Sequence, residues 1–334
     1  MNNSVNYTAE YFSNSGNINL IFGLLGCILN GFVCYIIGTH RSLRQPFNYL
    51  ILNLAISDFL VSLAVTLNSI LNYVASRYVD KLFSIVHTMN ISCKFIIFCS
   101  VSSFSSTTLT LLAISVERYL CFTAEHQHKM RLSTTRKVLL LIWFLALSSS
   151  VILAYYGRAD KEIGYDCCFG RIKNLWLLIL CITLSILITI LPILMMSLLY
   201  IQIGYRLQTQ LQISTDLGDA NLIRNRKKYL RQSVIAIIII SVFTCSTGLP
   251  FILLHIIFII EQHNLNFVSS YYLHDNFLGG TASLLFLLSP ILNPLLYNLA
   301  SSQFRSVVWS YFFFFCNYSS KFTPERSTKL QFTR

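Results

Sequence analysis

Charged residues are scarce in this chain: they make up 11% of its 334 residues, whereas apolar residues make up 54%. A soluble globular protein has about 25% charged residues, which it needs to cover its surface with polar groups. The composition therefore excludes a soluble domain and predicts a membrane protein.

Histidine is also rare, and the seven histidines follow no spacing that is typical of metal ligands. An enzyme embedded in the membrane would need a cluster of histidines or paired carboxylates within its apolar runs, and the histidines lie mostly outside those runs or at their ends. We therefore predict that the protein is not an enzyme and holds no metal centre.

Long apolar runs are what the chain has in abundance. A helix of about 20 apolar residues crosses the hydrocarbon core of a bilayer, which is about 30 Å thick. Runs of this length occur at about 20–37, 47–72, 96–121, 138–156, 175–200, 233–260 and 277–299. The sequence thus predicts an all-α protein, a seven-transmembrane helix bundle with a short amphipathic eighth helix.

Basic residues indicate the orientation of the bundle. The segment before Leu20 has no Lys or Arg, while the first, third and fifth connections and the C-terminal tail hold most of the 25 basic residues. Because basic loops stay in the cytosol, we predict a multi-pass protein of the plasma membrane with its N-terminus extracellular and its C-terminus cytosolic. The net charge of +12 then reflects topology and attraction to anionic membrane lipid, so nucleic-acid binding is not predicted.

Four regions follow from these boundaries. We predict an extracellular N-terminus at 1–19, a transmembrane domain at 20–300, an amphipathic membrane-surface helix at 301–316 and a cytosolic tail at 317–334. No cleavable signal peptide is recognised, so the first span is expected to direct its own insertion.

Three positions are candidate modification sites. Asn2 and Asn6 begin Asn-X-Ser/Thr sequons on the predicted outer side, where glycosylation takes place. Cys316 ends the surface helix, where it is either a palmitoylation site or an unmodified thiol.

Ten cysteines are present, and six of them fall inside apolar runs, where they are small packing residues. Cys93 begins the third span at its outer end, and Cys167 and Cys168 lie in the outer loop before the fifth span. Both places face an oxidising compartment, so we predict a disulfide from Cys93 to one of the pair. The sequence leaves open which of the two forms the bond.

Asp58 is the one acid in the middle of an apolar run, in the second span. A carboxylate within a membrane has to be neutralised by a proton, a cation or a cluster of donors, and it is a functional candidate for that reason. The alternative is a protonated Asp58 that acts as a polar link between helices.

One set of motifs occurs in order along successive spans. It comprises Asn30, the NLAISD motif from Asn53 to Asp58, Cys93, Glu117-Arg118-Tyr119, Trp143, Pro192 with Tyr200, Pro250, and the NPLLY motif from Asn293 to Tyr297. This set, which covers residues from about 20 to 316, resembles the rhodopsin-like (class A) family of G-protein-coupled receptors.

The resemblance implies signalling to heterotrimeric G proteins, with arrestin and receptor kinases as possible further partners. Glu117 would balance Arg118 at rest, and the inner end of the sixth span would swing outward so that Arg118 faces the G protein. Residues in coupling and activation would be Glu117, Arg118, Tyr119, Tyr200, Asn293, Pro294 and Tyr297. A polar core that takes a sodium ion in relatives would consist of Asn30, Asp58, Thr107, Ser289 and Asn293.

Two departures from the family pattern bear on activation. The tryptophan that usually stands two residues before the proline of the sixth span is Gly248 here. Relatives often have an acid near the inner end of that span to hold the arginine, whereas this region reads Arg226-Lys227-Lys228. We therefore expect that Arg118 is only weakly held in the inactive state and that the protein has appreciable basal activity.

Single positions argue against two ligand classes. Amine receptors have an aspartate where Ser100 stands, so a protonated amine has no carboxylate partner. Opsins have a lysine where Leu287 stands, and the seventh span contains no lysine for a retinal Schiff base.

The remaining pocket candidates are mostly apolar, with hydroxyls and one imidazole. They are Ser100, Ser103, Phe104, Ser185, Phe251, His255 and Ser283. Such a set suits a small, weakly polar or lipid-like ligand, or the tip of a peptide. A non-signalling relative with the same fold, or a transporter or channel, is the alternative, although one buried acid and no internal repeat disfavour a transport path.

Overall fold

The computed structural model describes residues 2–78, 83–123, 130–160, 166–169, 172–213, 220–264, 277–301 and 303–311, with some side chains inside these ranges left undescribed. The long helices are Asn2–Thr39, Pro46–Tyr78, Phe83–Thr123, Leu132–Tyr155, Leu175–Ser185 continued by Leu191–Ile213, Ala220–Asn264 and Phe277–Ala300. In this order they contain the first to the seventh span. A helix at Gln303–Tyr311, the surface helix, follows the seventh span.

The bundle exposes large apolar side chains on its outside and buries polar side chains, together with apolar ones, in its interior. Leu140 and Phe144 on the fourth span are 73% and 69% exposed, whereas Ser106 and Thr110 on the third span are fully buried. Six helices among the described residues are long and apolar enough to cross a membrane. The pair Leu284–Asn298 and Gln303–Tyr311, which is bent at the break between its two helices, gives a seventh if it is counted as one span. The all-α, seven-helix architecture that the hydropathy pattern predicts is confirmed.

The first helix begins earlier than the apolar run does. It starts at Asn2, although its apolar part, Asn17–Thr39, agrees with the predicted first span. The polar residues before Asn17 continue the helix, since helical backbone needs no apolar side chains outside the bilayer. A short 3₁₀ turn at Arg41–Leu43 then leads into the second span, as the brief polar connection suggests.

The fifth span is not a continuous α-helix. Asn174 caps its N-terminus by accepting hydrogen bonds from the backbone N–H groups of Trp176 and Leu177 at 2.9 and 3.4 Å. Residues Ile186–Ile190 form a π-helical turn in the middle of the span. The wider turn shifts the register of the inner half, which carries Tyr200, relative to the outer half.

A two-stranded hairpin covers the outer end of the third span. Strands β1 (Gly157–Asp160) and β2 (Asp166–Phe169) pair antiparallel, a feature that the sequence did not predict. Gly157 lies close to the third span, because a Cβ at this position would lie 2.7 Å from Cδ1 of Ile97 and 3.3 Å from the Cα atom of Lys94.

The hairpin positions the disulfide. Cys93 is bonded to Cys167, with the two Cα atoms 5.2 Å apart, so the pairing that the sequence left open is to Cys167. Adjacent residues of a strand point to opposite faces, so only one of two consecutive cysteines faces the third span. The side chain of Cys168 lies outside the described residues.

A sharp turn at Ser301 separates the seventh span from the surface helix. The Ser301 hydroxyl donates to Oδ1 of Asn48 and accepts from the backbone N–H of Phe304, so it caps the surface helix and ties it to the second span. The surface helix departs at 100° from the seventh span, and its Phe304 is buried in the inner core of the bundle. The structure thus describes nine residues, Gln303–Tyr311, of the predicted helix at 301–316.

Replacement of Cys167 by alanine is expected to destabilise the protein, whereas Cys168→Ala is expected to leave the crosslink intact. The bond joins residues 74 positions apart. A disulfide that closes a loop of that size stabilises the fold by about 4 to 5 kcal/mol in the chain-entropy model. Thermal unfolding of the purified variants in detergent measures the difference, and mass mapping under non-reducing conditions identifies the bonded peptides. An equal loss of stability in both variants would contradict this pairing.

Candidate functional site

Asp58 lies in the interior of the bundle and is almost fully buried. Its Oδ2 atom accepts a hydrogen bond from the side-chain amide of Asn293 at 2.9 Å and another from the hydroxyl of Tyr297 at 3.1 Å. Both donors stand on the seventh span, about one helical turn apart. The carboxylate therefore connects the second span to the seventh at a depth where an unpaired charge is expensive.

Asn30 supports this core from the first span. Its side-chain amide donates to the carbonyl oxygens of Pro290 at 2.7 Å and Gly26 at 3.0 Å. The carbonyl of Pro290 is available because Pro294, four residues later, has no N–H with which to complete the helical hydrogen bond. Asn30 thus binds the backbone group that the proline frees.

A small cavity lies beside Asp58. Its volume is about 20 Å³, which is enough for a water or a small cation. Its polar lining consists of Asp58, Ser103, Thr107, Thr244 and Ser289. The hydroxyl groups of Ser103 and Thr244 are buried and have no hydrogen-bond partner among the residues that the structure describes, so they have unused capacity to bind a guest.

The predicted polar core is brought together around this cavity. Asp58, Thr107 and Ser289 line it, and Asn293 donates to both Asp58 and the Ser289 hydroxyl, the latter at 3.3 Å. Asn30 stands behind it, on the backbone of the seventh span.

A second polar network joins the second, third and fourth spans. Asn53 donates to the hydroxyls of Thr110 at 2.8 Å and Ser106 at 3.1 Å, and it accepts a hydrogen bond from the indole N–H of Trp143 at 2.7 Å. Ser57 adds a hydrogen bond to Ser106. Trp143 therefore does more than pack, because its indole N–H ties the fourth span to the second.

At the inner end of the third span, Arg118 lies between an acid and an aromatic ring. Its Nε atom is 3.3 Å from Oε2 of Glu117, and the two side chains are only 11% and 7% exposed. The guanidinium carbon is 3.8 Å from the ring centroid of Phe47, at the beginning of the second span, a cation–π contact. Next to it, the ring of Tyr119 faces Arg206 of the fifth span at 5.7 Å.

Tyr200 connects three spans through its hydroxyl group. It accepts a hydrogen bond from Ser115 of the third span at 2.6 Å and shares another with Ser241 of the sixth span at 2.7 Å. Ser115 and Ser241 are both buried. We call this set of Ser115, Tyr200 and Ser241 the hydroxyl bridge.

Above the cavity, the sixth span has no side chain at Gly248, and the third span fills the gap with Phe104. The Phe104 ring is 6.2 Å from that of Phe286 on the seventh span. Phe286 in turn stacks on Phe251 of the sixth span, with centroids 4.5 Å apart and an angle of 12° between the rings.

The predicted pocket residues are only partly brought together. Ser103 and Phe104 line the cavity and Phe251 joins the aromatic contacts, whereas Ser100 is buried and Ser185 donates to the Cys181 carbonyl within its own span. Five predicted site residues have side chains outside the described residues, namely Cys168, His255, Ser283, Asn2 and Asn6. Cys316 lies outside the described residues altogether.

Sequence reasoning missed the contacts that need distant partners. Ser115 and Ser241 look like ordinary small residues in apolar helices, and nothing in the sequence pairs them with Tyr200. The sequence predicts Phe104 as a pocket residue and shows Gly248 as a departure from the family pattern, but it does not predict that the two are in direct contact. The complementary sizes of a missing side chain and a large ring are the signal that links them.

Comparison with known proteins yields one family. The family model described as 7 transmembrane receptor (rhodopsin family) matches residues 29–297. The Tachykinin-like peptides receptor 86C of Drosophila melanogaster is 28% identical, over 86% of this chain and 56% of that receptor. Human Neuromedin-U receptor 2 is 26% identical, over 85% of this chain and 68% of its own length. This chain therefore spans little more than half of the Drosophila receptor.

The fold is also that of a solved structure. Squid rhodopsin superposes with a TM-score of 0.70 and 19% identity, covering 91% of this chain and 86% of its own. The family model reaches from the middle of the first span, just before Asn30, to Tyr297 near the end of the seventh, and it includes the central polar core. By sequence and by fold, the chain belongs to the rhodopsin family of seven-transmembrane receptors.

Proposed function

We propose that this receptor lies in the plasma membrane with its N-terminus outside and transmits an extracellular ligand signal to heterotrimeric G proteins. The observation that carries the proposal is the environment of Arg118. Its described partners, Glu117 and Phe47, stand on the third span and at the start of the second. The sixth span is thus able to move away without breaking these contacts.

The resting position of the sixth span is held by the hydroxyl bridge. Tyr200 is neutral, so its links to Ser115 and Ser241 are ordinary hydrogen bonds, each worth about 1 kcal/mol net. Such bonds are weaker than a clamp between charged groups, which supports the expectation of basal activity. Outward movement of the sixth span separates Ser241 from Tyr200 and frees the tyrosine hydroxyl to turn towards Arg118.

For the ligand we propose a peptide. One relative is named as a receptor for tachykinin-like peptides, and it aligns with most of this chain. Retinal is disfavoured because the position of the opsin lysine is Leu287, which is buried in an apolar cluster with Phe104 and Phe286. An amine is disfavoured because Ser100 offers no carboxylate.

The cavity beside Asp58 fits a sodium ion. Carboxylate and hydroxyl oxygens suit a hard cation. Asp58, Thr107 and Ser289 would provide such oxygen ligands. The hydroxyl oxygens of Ser103 and Thr244, which have no hydrogen-bond partner among the described residues, would add two more. The ion would neutralise the carboxylate while Asn293 and Tyr297 orient it. A protonated Asp58 is the alternative.

Basal signalling is expected to depend on Arg118. Arg118→Ala removes the cation that faces the G protein, and losing a charged contact lowers the signal by about tenfold or more. Cyclic AMP and calcium in transfected cells, matched for surface expression, provide the measurement. Arg136→Ala, at an exposed position of the inner end of the fourth span, is the matched control and should signal as the wild type does. Equal signals from both variants, at the level of the wild type, would contradict a role for Arg118, and no signal above that of untransfected cells from any of the three would argue for a receptor fold that does not signal.

Ser241→Ala is expected to raise basal signalling. It removes the link from the hydroxyl bridge to the sixth span, and a loss of about 1 kcal/mol increases the active population about fivefold. Ser246→Ala is the control, because that exposed serine on the same span only donates to the carbonyl of Val242. A drop in basal signal for Ser241→Ala would mean that the hydroxyl bridge stabilises the active state instead.

Sodium is expected to stabilise the purified receptor. The melting temperature of the wild type should rise as NaCl replaces choline chloride at constant ionic strength, because a ligand of the folded state stabilises it by mass action. Asp58→Asn should remove this dependence. A wild type that is insensitive to sodium would favour the protonated Asp58.

A further inference from the structure

The space that a side chain at position 248 of the sixth span would fill is occupied by the ring of Phe104, from the third span. A Cβ built on Gly248 would lie 2.9 Å from Cδ2 and Cζ of Phe104, and still closer to Cε2. These distances are too short for any real Cβ, so only glycine allows Phe104 to lie where it does. The third and sixth spans are therefore in contact through an aromatic ring set directly on a helix backbone.

Phe104 joins the outer half of the bundle to the polar core. On one side it contacts Phe286, which stacks on Phe251. On the other side it lines the cavity that contains the carboxylate of Asp58. We call Phe251, Phe286 and Phe104 the aromatic series, and it runs from the sixth span through the seventh to the third.

The cavity limits where the Phe104 ring can go. The volume of the cavity is about 20 Å³, which is far less than the volume of a phenyl ring. Phe104 thus either stays on Gly248 or moves and pushes neighbouring helices apart, since close-packed interiors are bistable and do not deform continuously. A move into the cavity would also displace whatever is bound beside Asp58.

We propose that Phe104 is the positioning residue of activation in this receptor, and that its contact with Gly248 holds the sixth span at rest. A ligand that reaches Phe251 or Phe286 displaces Phe104 from Gly248, and the sixth span then moves outward. The third span thus supplies the switching ring, in place of the sixth-span tryptophan that this chain lacks. This inference rests on the proposed function, because its physiological readout is signalling.

A double-mutant cycle tests the contact. Gly248→Ala places a methyl group where the ring lies and forces Phe104 away, so basal signalling should rise about threefold or more. Phe104→Ala should also raise it, and in the Phe104→Ala background the further change Gly248→Ala should add nothing. Gly204→Ala in the fifth span is the control glycine, because a Cβ there meets nothing within 4 Å.

Two outcomes would overturn the proposal. One is a basal signal that Gly248→Ala leaves unchanged or lowers. The other is a Gly248→Ala effect of the same size with and without the Phe104 ring, which would show that the ring does not mediate it.

A second measurement separates this inference from the proposed function. The melting temperatures of the purified receptors do not depend on any G protein. Gly248→Ala should lower the melting temperature, and the double variant should lose no more than Phe104→Ala alone. Additive losses would contradict the contact. Coupled losses, with no basal signal from any variant, would keep the contact and reject the signalling role of both this inference and the proposed function.

If Gly248→Ala does not reach the cell surface, Phe104→Leu replaces it. Leucine leaves Gly248 open but removes the ring contact with Phe286. The proposal expects a raised basal signal for Phe104→Leu, and a signal at or below that of the wild type would reject it.

Discussion

The burial of one carboxylate constrains the whole bundle. Asp58 lies where hydrocarbon surrounds the helices, so its polar atoms have to find partners inside the protein. Asn293 and Tyr297 provide them, and both stand on the seventh span. The same span contains Pro294, whose missing N–H leaves a carbonyl that Asn30 satisfies from the first span. The central packing of the first, second and seventh spans thus follows from the need to satisfy buried polar groups.

The remaining spans are joined by weaker polar links that suit a switch. Trp143 ties the fourth span to Asn53, and Tyr200 joins the fifth span to the third and sixth. Each link is a neutral hydrogen bond, and a few such bonds amount to a few kcal/mol. A ligand with a differential affinity of that size is enough to shift the population between two packings. The contacts of the buried carboxylate join the second and seventh spans, whereas the sixth span, for which we propose outward movement, is joined to Tyr200 by a neutral hydrogen bond through Ser241.

Much of this arrangement could be predicted from the sequence, for physical reasons. Spans follow from runs of apolar residues, and Asp58 is conspicuous because an acid is costly there. Contacts across helices could not be predicted in the same way: the partners of Tyr200 are two serines that resemble any other small residue. Whether Cys167 or Cys168 forms the disulfide depends on the register of a hairpin, and the sequence of the outer loop does not predict that hairpin. To predict the contact between Phe104 and Gly248, one has to know the distance between the third and the sixth span, and the sequence of neither span contains that distance.

We propose that the sixth span moves outward while the rest of the bundle keeps its place. Pulsed electron resonance between spin-labelled unnatural amino acids at Lys137 and Gln232, exposed positions near the inner ends of the fourth and sixth spans, measures that movement. We expect one short distance for the receptor alone and a population several ångström longer when a nucleotide-free G protein binds. An identical distance distribution with and without every G-protein class would contradict it.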